Sequence, residues 1–313
     1  MKSRVCFLMP YFGKLPYNFD LWLSFCEKNQ DFNWLFFTND KTCYSYPKNV
    51  SVIYCSLAEL KEKIEKKLNV SVSLEKPYKL CDFRPLYGII FEEYLKDYDY
   101  WGYGDLDTII GDLSKFITDE RLKDYDKISL MGHLSVLRNN EKVNTAYKDC
   151  DYLSIIQSKN NIIFDEIRFE KNINNLLKNR GCKILEHFEV YDICYEHLCF
   201  YNYEYVGTNR VKILDYNAAI FEYDNGKLYM LKVVDGEINR KEIAYVHFIK
   251  RKIDISNDLD RNKFVFIPDR LTSDYNVSIE FIKENTKDNY ARLISLEIKR
   301  AIKVIKRIIK IGQ

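Results

Sequence analysis

The stretch YDYWGYGDLDTIIGDL, residues 98–113, decides how this chain is read. It opens as an aromatic, β-prone run and passes two glycines, Gly102 and Gly104. It then sets Asp105 and Asp107 two apart and resumes an apolar run at Thr108. That pattern is a strand over 99–107 delivering two carboxylates to its carboxyl end. In an open parallel sheet, ligands bind outside the carboxyl ends of the strands. An isolated Asp-x-Asp is also what a solvated turn looks like, so the neighbouring segments have to place it.

Toward the N-terminus, Arg4–Met9 is a short apolar run closed by Pro10 and Gly13, a strand then a turn. Phe19–Lys28 carries the apolar residues of a helix packed on a sheet. WLFFTND (34–40) and VSVIYCS (50–56) are two further strands. Residues 57–70 form a charged amphipathic helix with Ser56 as its N-cap. Residues 79–98 are mostly helical, with Pro85 near the first turn. Strands alternating with helices over the first ~110 residues specify a parallel α/β sheet. The acid pair then falls at a strand end, with Pro10–Gly13 and Thr38–Asp40 at two others.

Beyond the stretch, residues 127–139 are expected as a strand running through His133 into a loop. Residues 164–181 open with Asp165 and Glu166 and continue as a helix, with Gly181 as its C′ residue. Residues 210–231 hold a hairpin around Asp224-Asn225-Gly226. Residues 243–252 are a strand carrying His247 and ending in Lys250, Arg251 and Lys252. At the C-terminus, Ile294, Ile298, Ile302, Ile305 and Ile309 share one helical stripe among many Lys and Arg. A basic amphipathic helix of this kind suits an anionic membrane surface; the alternative is packing on its own domain or on a second subunit.

Composition removes several function classes. Of 313 residues, 48 are basic and 46 acidic, a net charge of +2, which argues against a nucleic-acid binder. Nine cysteines without a CxxC pair argue against a disulfide framework or a zinc ribbon, and for free thiols in a reducing compartment. The apolar run before Pro10 is too short for a signal segment, and no run is long enough to span a membrane. No GxGxxG or GxxxxGK phosphate loop occurs. Two carboxylates at a strand end suit Mn²⁺ or Mg²⁺, hard cations that share oxygen ligands with substrate phosphates.

With PYFG at Pro10–Gly13, KPYKLCDF at Lys76–Phe83 and WGYGDLD at Trp101–Asp107, the chain resembles the GT-A glycosyltransferases that carry an Asp-x-Asp. More closely, it resembles an uncharacterised bacterial family of polysaccharide (capsule and lipopolysaccharide) gene clusters. The likeness covers about residues 3 to 250 and is strongest over 76–113. It implies a GT-A-like α/β fold: a Rossmann-like mixed central sheet flanked by helices, with a C-terminal helical tail. The domain would span residues 1–252, with a nucleotide-binding half of about 1–113 and an acceptor-binding half of about 114–252. Residues 253–313 would be an extension carrying the basic helix, 290–311.

The resemblance also implies roles. Asp105, Asp107 and His247 would hold Mn²⁺ or Mg²⁺. Pro10, Tyr11, Phe12, Gly13, Asp40, Lys79, Asp82, Arg84 and Lys250 would join Asp105 in contacting a nucleotide-sugar, with UDP-hexose favoured. Asp165 or Glu166 would be the acceptor's general base, and His133 a sugar contact. The acceptor would be a glycan or lipid-linked oligosaccharide at the inner face of the cytoplasmic membrane, and a homodimer is compatible with this reading. Two alternatives stay open: a nucleotidyl or phosphoryl transferase on a Rossmann-like sheet, and a non-catalytic sugar- or membrane-binding protein.

Overall fold

The apolar runs of the N-terminal half become strands wherever Pro, Asn or Gly stops them. A computed structural model describes residues 3–165, 172–194, 199–206, 209–214, 219–248, 253–286, 294 and 298. It divides into two units: Met1–Glu189 with Gly207–Asn209, and Val190–Val206 with Arg210–Gln313.

In the first unit, β1 (Val5–Pro10), α1 (Phe19–Lys28), β2 (Phe32–Thr38), β3 (Val50–Tyr54) and α2 (Leu57–Leu68) follow the expected alternation. Ser56 caps α2 in a full capping box: its hydroxyl accepts from the Glu59 amide, and Glu59 accepts from the Ser56 amide. The segment expected as a helix over 79–98 is instead a 3₁₀ turn (Pro77–Leu86), a short α3 (Tyr87–Ile90) and a second 3₁₀ turn (Glu92–Tyr94). Pro85 lacks the amide hydrogen that a continuous α-helix needs. β4 (Tyr100–Gly104), β5 (Thr108–Ile110), α4 (Asp119–Asp124), β6 (Lys127–Ile128) and β7 (Leu134–Arg138) follow. α5 (Glu141–Asn144), α6 (Tyr152–Gln157), α7 (Ile173–Asn179) and β8 (Ile184–Leu185) complete the unit.

The order β3-β2-β1-β4-β7-β6-β8 makes a mixed seven-stranded sheet. β1 is parallel to both β2 and β4, β2 to β3, while β7 runs antiparallel to β4 and β6. From β1 the chain moves outward to β2 and β3 and then returns to β4 on the other side of β1. That reversal is a switch point, and it opens a crevice at the carboxyl ends of β1 and β4. One face of the sheet carries the core around Leu8, Phe37, Phe83, Tyr87, Trp101 and Tyr103. Burial of each such aromatic contributes roughly 2–3 kcal/mol.

Two expectations need correction. The strand expected over 127–139 is a hairpin, β6 and β7 joined by Ser129–His133, with Ser129 at φ +71°. A left-handed residue cannot continue a strand. Asp165, expected to open a helix, lies in a turn; α7 begins at Ile173 with the Asn172 side chain as its cap, and residues 166–171 lie outside the described residues. Its end is as expected. Gly181, at φ +69°, closes a Schellman motif in which the Cys182 amide donates to Leu177 O and the Gly181 amide to Lys178 O.

The second unit is β-rich: β9 (Val190–Cys194), β10 (Cys199–Val206), β11 (Asn209–Leu214), β12 (Ala219–Asp224), β13 (Lys227–Val234), β14 (Glu237–Ile243), β15 (Tyr245–His247), β16 (Asp254–Ile255), β17 (Lys263–Ile267) and β18 (Arg270–Thr272). α8 (Ile279–Asn285) packs on its core of Ile220, Leu231, Val265, Ile267 and Ile282. The anticipated hairpin is β12–β13, with Asn225 and Gly226 both at positive φ, as a primed two-residue turn requires. Asp235-Gly236 makes the same turn between β13 and β14, a signal the sequence reading passed over. The strand expected over 243–252 is β15 up to His247, and its basic end lies outside the described residues. The helix expected over 290–311 also lies outside them, apart from Ile294 and Ile298, both exposed.

Candidate metal and nucleotide site

β4 reaches the crevice because it fits closely between two neighbours. A side chain at Gly102 would stand 2.6 Å from Ser135 O on β7 and 2.7 Å from the Phe7 ring on β1. Only glycine lets the three strands approach there. After Gly104 the chain turns, held by hydrogen bonds on both sides. The Asp105 amide donates to His133 O at 3.1 Å. The Thr108 hydroxyl donates to Asp105 O at 2.9 Å and accepts from the Trp22 indole at 3.3 Å. Leu106 is buried in this turn, while Asp105 and Asp107 on either side of it are only partly buried. Their carboxylates come within 4.8 Å of each other. The pair therefore sits in the crevice between β1 and β4. Tyr11, just past β1, registers the charge: burial, and then Asp107, raise its phenol pKa.

Arg84 holds the pair from behind. Its guanidinium donates to Asp105 Oδ1, to Asp165 Oδ2 at 2.8 Å, and to the carbonyls of Gly132 at 2.9 Å and Gly104 at 3.3 Å. It also lies over the Tyr103 ring, 5.3 Å from the centroid. Burial opposes its charge, but Asp105 in particular, then Cys81 and Asp165, hold its pKa well above the usual value. The sequence reading assigned Arg84 to the donor; the structure uses it to orient one acid of the pair.

Lys79 and Asp82, also assigned to the donor, are internal scaffolding. The buried Lys79 ammonium has three hydrogens and donates to Asp82 at 2.8 Å and to Ile155 O and Asn160 O, both at 2.7 Å. Asp82, fully buried, also accepts from the amides of Ile162 at 3.0 Å and Phe164 at 3.1 Å. The pair pins the 155–164 segment to the 3₁₀ turn. Phe12 belongs to the hydrophobic core rather than to a ligand surface. Pro10 ends β1 opposite Phe37, and the Tyr11 amide continues the ladder to Phe37 O. Gly13 is exposed at φ +96°, and its amide donates to Asn39 Oδ1 at 2.8 Å. Asp40 accepts from the Thr42 hydroxyl at 2.6 Å and amide at 2.9 Å, and from the Leu15 amide at 2.8 Å. These bonds, the Thr42 hydroxyl first, lower its pKa. Asn39 and Asp40 thus tie the loops after β1 and β2 together at the rim of the crevice.

His133 is buried on the β6–β7 loop, its carbonyl on the Asp105 amide. Asp165, at 1% exposure, is ion-paired with Arg84, which gives it a structural job beside the acids. Glu166 and Lys250 lie outside the described residues. In the second unit, His247 stands opposite Asp192 in the parallel β15–β9 register, and its Nδ1 is 2.6 Å from Asp192 Oδ1. A carboxylate on Nδ1 fixes the tautomer that leaves Nε2 as a metal-ligating lone pair. Sequence reasoning missed Asp192; the only sequence signal was a lone acid in the apolar VYDIC run. It also missed Lys127, buried beneath the His133 loop.

The residues fit a hard divalent cation: two adjacent carboxylates, one oriented by a guanidinium, beside a phenol. The described cysteines Cys6, Cys26, Cys43, Cys55, Cys81, Cys150 and Cys182 are free thiols, and burial raises the pKa of Cys6 to about 12. No described helix is long and apolar enough to cross a membrane.

Over residues 7–275 the chain belongs to DUF6625, a family of unknown function. No curated protein matches it in sequence. Among solved structures it is similar to the apo form of mouse xyloside xylosyltransferase 1, at 9% identity and a TM-score of 0.33. That match covers 62% of this chain and 89% of the other. A likeness this slight has no bearing on what the chain does.

Proposed function

We propose that this chain is a metal-dependent glycosyltransferase that moves a sugar from a nucleotide-sugar, UDP-hexose in the first instance, to a glycan or lipid-linked acceptor. One observation carries the reading: the sheet's switch point brings Asp105 and Asp107 together at the carboxyl end of β4, beside the Tyr11 loop after β1. Mn²⁺ or Mg²⁺ at that pair would act as Lewis acid and template for a diphosphate leaving group. The chain's own residues do the rest. Arg84 holds Asp105 in an ion pair at the end of β4. Leu106 anchors the turn so that the two acids stay adjacent. The loops after β1 and β2, cross-tied by Asn39 and Asp40, provide Tyr11 and a fixed backbone rim for the nucleotide.

His247, held by Asp192 within the second unit, is a proposed metal-ligating histidine. Glu166 is the proposed base toward the acceptor and His133 the proposed sugar contact. The proposed setting is surface-polysaccharide synthesis at the inner face of the cytoplasmic membrane, with the basic helix 290–311 against anionic lipid.

The test is a hydrolysis and transfer screen over nucleotide-sugars with Mn²⁺. The reading expects hydrolysis of one UDP-sugar that stops with EDTA and in Asp107→Asn. Metal-independent turnover of ATP or CTP would instead favour the phosphoryl- or nucleotidyl-transferase alternative.

A further inference from the structure

On β6 a lysine is buried with no carboxylate within hydrogen-bond reach among the described residues. Lys127 has 0% exposure, and its ammonium donates to Ser129 O at 2.5 Å, Asn174 Oδ1 at 2.8 Å and Ser135 Oγ at 3.0 Å. Three hydrogens meet three neutral acceptors. Burying an ammonium among neutral groups is costly, and an apolar residue would fill the position without that cost. What the lysine supports is the loop beyond it. Ser129 holds φ +71°, a strained backbone for a residue other than glycine. The ammonium on its carbonyl fixes that turn. The Ser129 hydroxyl then accepts from the Met131 amide at 3.1 Å, and the Ser135 hydroxyl donates to Met131 O at 2.7 Å.

The far side of the same loop faces the site. Gly132 O takes Arg84, the arginine on Asp105, at 2.9 Å, and His133 O takes the Asp105 amide at 3.1 Å. The five-residue loop Ser129–His133 thus links a buried cation to the two carbonyls that hold Arg84 and the Asp105 amide.

We propose that Lys127 is a positioning residue: it braces the Ser129–His133 loop and through it sets Asp105, an inference that rests on reading Asp105 as a cation ligand. Burial pushes the Lys127 amine down to about 7, opposed by Asp165, which agrees with an ammonium held by neutral acceptors rather than by a carboxylate.

The test compares the full chain with Lys127→Met and with the double variant Lys127→Met/Asn174→Leu. The double variant removes both ends of the Lys127–Asn174 contact, so its stability recovers toward wild type while the brace stays absent. Because the Asn174 amide also donates to Leu130 O at 3.3 Å, Asn174→Leu alone is read beside it and should exchange more slowly over 130–133 than the double variant. Amide hydrogen exchange is read at Asp105 and over 130–133, and Mn²⁺ affinity by calorimetry, with Asp105→Asn as the site control. The brace predicts at least tenfold faster exchange at these amides in both variants, with β1–β3 unchanged in the double variant. It also predicts Mn²⁺ affinity at least fivefold weaker. Wild-type exchange and Mn²⁺ affinity in the double variant would overturn it. If Asp105→Asn leaves wild-type Mn²⁺ binding intact, the metal reading fails, and the exchange at Asp105 still decides the role of Lys127.

Discussion

Arg84 and Lys79 sit five residues apart on one 3₁₀ turn, and both are consumed inside the protein. The resemblance singled out Lys79, Asp82 and Arg84, but not whether their charges face a ligand or each other. That depends on the 155–165 segment, which folds over the turn from far along the chain. Consequences differ for the two. Lys79→Met strands the fully buried Asp82 and should cost about 3–5 kcal/mol in urea denaturation, with Mn²⁺ affinity of the folded protein unchanged. Arg84→Met should cost a similar amount, about 3–5 kcal/mol, and also weaken Mn²⁺ binding, because Asp105 loses its partner. Lys127 gives a pH signature. Its folded pKa, about 7, lies below the ordinary lysine value of 10.5, so between these values the unfolded chain binds the extra proton. Stability should therefore rise with pH through that window, by up to about 1.4 kcal/mol per unit. Urea titrations at pH 7 and 9 check it, and Lys127→Met should flatten the rise.

At the scale of elements, the Asp-x-Asp strand was legible because aromatic residues, glycines and the following apolar run all agreed. So were α1, the Ser56 cap and the Asn225-Gly226 hairpin, each specified by local chemistry. The breaks were harder to see. The 79–98 segment has helical composition, but Pro85 and the packing of Gly88 divide it. A side chain at Gly88 would run into Asn144 and come within 2.8 Å of the Trp101 indole, which itself donates to Asn144 Oδ1. Gly88→Ala should therefore destabilise by roughly 1–3 kcal/mol, read by thermal or urea melts, despite alanine's better helix propensity. The β6–β7 break was invisible in sequence because the ammonium that holds the left-handed Ser129, though only two residues away, is itself held by Asn174 from far along the chain.

At the scale of the molecule, the order of the parallel strands matters most. The alternation of strands and helices predicted a parallel sheet, but no single segment says that β4 lies beside β1 rather than β3. That placement turns an ordinary Asp-x-Asp into a pair at a switch-point crevice. Asp192 escaped notice for the same reason, since only the β9–β15 register sets it opposite His247. The basic tail belongs to this scale too. Vesicles containing anionic lipid should float the full chain but not a 1–288 truncation; equal flotation would remove the membrane role proposed for residues 290–311.

The central claim is that Asp105 and Asp107 hold a divalent cation for a nucleoside diphosphate. The most direct measurement is UDP binding by calorimetry to the full chain with and without Mn²⁺, in wild type and in Asp105→Asn/Asp107→Asn. The account predicts UDP binding at least tenfold tighter with Mn²⁺ in wild type, and no metal effect in the double variant. Equal UDP affinity with and without the metal, or an undiminished metal effect without the two carboxylates, would contradict it.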